Sequence, residues 1–121
     1  MSYEHIDVSR ISGLTRELAD DASVSLRFIE DYIRCWEQRR ARVSGAIELP
    51  VIDDALAALL SLATSSAMIG ADGLSCAAKA LHADARLLGT VPAPGAERLA
   101  RLGAAVCEEL RIATADMRPA A

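Results

Sequence analysis

Very few side chains in this sequence could do chemistry. The only histidines are His5 and His82, and the only cysteines are Cys35, Cys76 and Cys107. A neutral imidazole is a competent nucleophile near physiological pH, so His82 is a candidate for covalent catalysis, whereas His5 lies in a terminal stretch expected to fray. Asp53-Asp54 and Glu108-Glu109 pair carboxylates. Consecutive helix positions point apart, however, so neither pair suits acid–base work on one substrate. Ser65-Ser66 offers hydroxyls with no base within reach by spacing, and these serines read as core or turn residues. The three cysteines are odd in number and lie in apolar helical patterns, so they are expected to be buried, reduced thiols and not a disulfide set. With two histidines as the only other soft ligands, no zinc spacing exists, and no residue pattern points to a cofactor.

The bounds on the whole chain agree with this sparse inventory. A length of 121 residues with 52% hydrophobic content suits one domain covering 1–121. The net charge of −4 argues against nucleic-acid binding, which relies on clustered Lys and Arg. The one basic run, Arg39-Arg40-Ala41-Arg42, is expected to be a solvated helix face. No leader-like opening is present, and charges interrupt every apolar stretch before it reaches the roughly 18 residues of a membrane span. The expectation is a soluble, cytoplasmic protein with no membrane partner.

The elements that position these side chains follow a helical period nearly throughout. Val8, Ile11, Leu14 and Leu18 recur at threes and fours, predicting a short amphipathic helix over 8–18. Asp20-Asp21 then offers a cap for a long helix to about 49, whose stripe is Ala22, Leu26, Ile29, Ile33, Trp36, Val43 and Ile47, with Arg40 interrupting. Pro50 is tolerated at a first helical position, predicting a third helix over 50–69 with Gly70 as its C-cap. Asp72 is placed to cap a fourth helix, carrying Leu74, Ala77, Ala78, Leu81, Ala85 and Leu88 and ending at Gly89. Residues 90–95 read as a loop. A fifth helix follows, with Leu99, Leu102, Val106, Leu110 and Ala113 on one face. The fold class is therefore all-α, an antiparallel up-down four-helix bundle with a short additional N-terminal helix.

The third helix carries more apolar residues than a single seam needs. Ile52, Ala55, Leu59, Leu62, Ser66 and Ile69 form its core stripe, while Leu56, Leu60, Ala63 and Ala67 form a second stripe one residue away. The second stripe can pack against both neighbouring helices or can remain partly exposed. In the latter case Leu56 and Leu60, with the small residues Ala63, Thr64 and Ala67, make a partner-docking patch that another chain's backbone could approach closely.

From about Val8 to about Ala113 the chain resembles the histidine-containing phosphotransfer (HPt) domain family. The signature helix of that family reads approximately Ala-His-x-Leu-Lys-Gly-Ser-Ser-x-x-Leu-Gly-Ala. Leu62, Ser65, Ser66, Ile69, Gly70 and Ala71 match it, and Cys76, Leu81, Ala85 and Arg86 match the helix that follows. Three positions depart together: Leu60 stands in the histidine slot, Ala63 in the lysine slot and Thr64 in the glycine slot. Leucine has no lone pair to accept a phosphoryl group, and loss of the lysine removes a fixed positive charge.

The resemblance thus implies a degenerate, non-catalytic (pseudo-phosphotransfer) module of two-component phosphorelay signalling. Such a module would dock a response-regulator receiver or a histidine-kinase domain around Leu60. Two alternatives stand beside it. His82 lies nine residues after Gly73, and Leu60 ten before Gly70. At 1.5 Å per residue both sit roughly 14 Å from the hairpin turn, so a relocated phosphotransferase could use His82. Alternatively, the Leu56 and Leu60 stripe is the face of a homodimer.

Overall fold

The computed structural model describes residues 3–17 and 22–117, and the cap expected at Asp20-Asp21, the stripe position Leu18 and the tail beyond 117 lie outside them. Among the described residues there are five helices: α1 (Val8–Glu17), α2 (Ala22–Gly45), α3 (Asp53–Met68), α4 (Asp72–Leu88) and α5 (Ala93–Met117). Helix α3 packs between α2 and α4, and α5 closes the ring against the same two helices. The result is the expected four-helix bundle, with α1 lying against α2 and α3. No helix is long and apolar enough to cross a membrane.

The core is formed by the stripes that the helical period marks. Ile29, Trp36 and Val43 of α2, Leu59, Leu62 and Ile69 in and after α3, Leu74 and Leu81 of α4, and Leu99, Val106 and Leu110 of α5 are all buried. Burying a large aliphatic side chain stabilises by roughly 1.5–3 kcal/mol, so these stripes dominate the folding free energy. Tyr32 joins them although it carries a hydroxyl: that group bonds Ser66 Oγ at 2.8 Å, and both residues are buried. The ring of Trp36 packs against α5, where a Cβ on Gly103 would come within 1.9 Å of its nearest ring carbon.

The ends of the helices differ from expectation in ways that local pattern does not carry. Helix α2 stops at Gly45, because Glu48 adopts a left-handed φ of 61° and Ile47 pairs with Val91 of the α4–α5 connection. The Glu48 amide donates to Val91 O at 3.2 Å. This tether holds Pro50 outside α3, which begins at Asp53 with Asp53 and Asp54 in its first turn, where carboxylates favour the helix dipole. Asp72 does not cap α4. Its carboxylate instead takes both Nη atoms of Arg10 at 3.0 Å. Helix α5 begins at Ala93, inside the expected loop, since Pro94 and Gly95 are accommodated in its first turn.

The C-cap of α3 is Ile69, and Gly70, expected in that role, takes the left-handed turn one residue later, with φ of 78°. Its carbonyl accepts the Asp7 amide at 3.1 Å, and an added Cβ would meet Asp7 O at 2.6 Å. The segment before α1 is therefore not frayed. The His5 amide donates to Glu109 Oε1 at 2.9 Å, its ring Nδ1 contacts the same carboxylate, and Ile6 is buried. The Asp7 carboxylate accepts the hydroxyl of Ser9 and its amide, which together hold its pKa below the ordinary value.

Candidate functional site

The face of α3 turned from the core exposes Asp53, Ala57, Leu60, Ser61, Thr64 and Met68. Leu60 is 52% exposed near the middle of this face, an aliphatic side chain that the bundle covers only in part. Thr64, one turn on, spends its hydroxyl on the Leu60 carbonyl at 3.0 Å, a bond that satisfies it within the helix and leaves its methyl group as the more apolar part of its surface.

Five residues of α3 form the docking patch expected from sequence, and the structure divides them. Leu60 and Thr64 are exposed, whereas Leu56 and Ala67 are half-buried at the margins, with Leu56 packed on the core. Ala63 does not belong to the surface: it is 3% exposed. The reason is α4, whose buried Ser75 donates its hydroxyl to Ala63 O at 2.7 Å and draws the two helices together over that position. The apolar patch is consequently narrower than the stripe, and Leu60 is the more exposed of its two leucines.

The same bond sets the level of α4 against α3. With the helices antiparallel and Ser75 abutting Ala63, Lys79 one turn later comes level with Leu60, and His82 falls about one further turn, ~5 Å, beyond it. His82 is half-buried and makes no hydrogen bond or ion pair among the described residues. Among the described residues no general base or orienting carboxylate is hydrogen-bonded to its ring.

The remaining candidates are occupied elsewhere. Ser66 is bound to Tyr32 in the core, and Ser65 donates to Ser61 O at 2.8 Å. Glu108 faces Arg111 at 3.6 Å, and Glu109 holds His5, so the two carboxylates serve different partners. Asp54 lies 3.8 Å from Arg42. Among the described residues no group of His, Cys, Asp and Glu could hold a metal ion. The cysteines do not share one environment, contrary to expectation: Cys107 is buried, Cys35 half-buried and Cys76 exposed, because Cys76 follows Ser75 onto the solvent side of α4. Burial pushes the Cys107 thiol up to about 11, so it stays protonated and inert at neutral pH.

The molecule defined by these observations is a helical bundle with an exposed aliphatic residue at the centre of one helix face. Its described residues pair His5 with Glu109 and Ser9 with Asp7, and neither pair includes a residue of α3. No family model, no curated protein and no solved structure matches the chain.

Proposed function

We propose that this chain is an HPt-like module of two-component phosphorelay signalling that binds without transferring phosphate. The open face of α3 around Leu60 docks a response-regulator receiver or a histidine-kinase domain, and the module acts as a competitor, scaffold or adaptor. The observation that carries this reading is Leu60, which stands in the slot of the phospho-accepting histidine and is 52% exposed. A docking partner would bury the aliphatic surface that the fold leaves open at Leu60.

Two further observations support it. Most positions that match the family are structural ones: Leu62, Ser66, Ile69, Ala71, Leu81 and Ala85 are buried and Gly70 makes the turn, while Ser65 is half-buried and Cys76 and Arg86 are exposed. The two chemical slots beside Leu60 have lost the means to hold a phosphoryl group, since Ala63 is buried without charge and the Thr64 hydroxyl is bonded to its own helix.

The test is a transfer assay with a panel of phosphorylated receiver domains, reading both acid-labile label on the chain and retention of each receiver. Retention without label is expected, and Leu60→Glu should abolish it. Label that disappears in His82→Ala would overturn the reading in favour of a working phosphotransferase. Concentration-dependent sedimentation that Leu60→Glu suppresses, with no receiver retained, would overturn it in favour of a homodimer.

A further inference from the structure

Arg39 on α2 stands beside the open face of α3. Its Nη1 lies 3.4 Å from Ser65 Oγ, and it meets no carboxylate among the described residues. Its neighbours on the same helix do: Arg34 is held by Asp31, Arg40 by Glu37 and Arg42 by Asp54. A guanidinium carries five N–H donors in a rigid fork shaped for a carboxylate. One long contact to a hydroxyl leaves that fork almost unfilled, although Arg39 is half-buried.

The side chain borders a cleft of about 220 Å³ between α2 and α3, lined by Phe28, Asp31, Tyr32, Cys35, Arg39 and Ser65. Its walls are largely apolar, because Tyr32 commits its hydroxyl to the buried Ser66 and offers the cleft only its ring. The carboxylate in the lining, Asp31, is ion-paired with Arg34 and so opposes an incoming anion only weakly. Ser65 follows Leu60 and Thr64 on the next stripe of α3, so the cleft opens along the edge of the docking face.

We propose that this cleft is a subsite that receives an aspartate or glutamate side chain of the docked protein. The carboxylate fills the Arg39 fork, and its methylene groups lie against Phe28 and Tyr32. The identity of the occupant rests on the docking function proposed above, whereas the preference of the cleft for a carboxylate is measurable by itself. A partly desolvated, bidentate pair of this kind is stronger than a surface ion pair, and its loss weakens binding about tenfold.

The experiment has two arms on the full chain. In the first, phenylacetate and its neutral isostere phenylacetamide are titrated while the Arg39 Nε–H and the Cys35 and Ser65 amides are followed by NMR. Saturable shifts with the acid, absent with the amide and lost in Arg39→Gln at unchanged thermal midpoint, are expected. Equal shifts from acid and amide, no shifts, or shifts indifferent to Arg39→Gln overturn the subsite. In the second arm, Arg39→Gln should weaken about tenfold the retention of whichever receiver Leu60→Glu abolishes, with a smaller difference at high salt. A receiver retained equally by Arg39→Gln and the unaltered chain overturns the subsite and leaves the docking function standing. Acid selectivity with no receiver retained overturns the docking function and leaves the carboxylate preference standing.

Discussion

Single residues divide here into those that hold the bundle and those that face outward. The Tyr32–Ser66 hydrogen bond is the clearest of the first kind. Its two groups are buried, so removing one leaves the other without a partner. Tyr32→Phe should therefore cost about 1–3 kcal/mol in urea unfolding, and adding Ser66→Ala should cost much less than the sum of the two single changes. Leu60 is of the second kind. If it occupies the phospho-acceptor slot, Leu60→His should acquire a low level of acid-labile label from phosphorylated receivers, with no loss of thermal stability because the side chain is exposed. Ser66 falls on the core stripe drawn from sequence, but Tyr32 does not. The period through Ile29 and Trp36 allowed it, and a polar core residue such as Ser66 requires a partner. That requirement was the available signal for Tyr32.

Helices were legible over most of their faces, although Val8 and Leu88 of the expected stripes lie exposed at the ends of α1 and α4, and illegible at their boundaries. Ala55, Leu59, Leu62, Ser66 and Ile69 all lie where the three-and-four spacing puts them, because burial of one stripe is a local property of α3. The rotation that buries Ala63 and leaves Leu60 exposed depends on how α4 leans on α3 through Ser75, a contact between residues 12 positions apart. The boundary of α2 depends on Val91, in a distant connection. Close approach of elements is likewise tertiary. The ring of Trp36 occupies the space that any side chain at Gly103 would need, so Gly103→Ala should destabilise the protein by about 2–3 kcal/mol and shift tryptophan emission as the ring is displaced. Gly13→Ala, inside α1 with nothing within 4 Å of the added carbon, should instead stabilise by about 0.4–1 kcal/mol.

The whole molecule should be sensitive to alkali. Burial raises the Cys107 thiol from 9.0 to about 11, and burial likewise raises the Tyr32 phenol above 10.0 despite its bond to Ser66. The unfolded chain gives up these protons at the ordinary values while the folded chain keeps them. The stability they support is thus complete at neutral pH and declines as pH climbs past 9.0 for the thiol and past 10.0 for the phenol. Urea midpoints should be level near neutrality and fall above about pH 9, and Cys107→Ala should remove the earlier part of the fall. The segment before α1 adds a constraint of another sort. The His5 amide is bound by Glu109, 104 positions later in the chain. A ribosome makes the chain from its amino end, so His5 leaves the exit tunnel early and its acceptor emerges only with the last helix. Until α5 is out, Asp7 can be held by Gly70 but His5 lacks its Glu109 acceptor, so in a chain stalled before α5 the segment before α1 would be tied down at one point only.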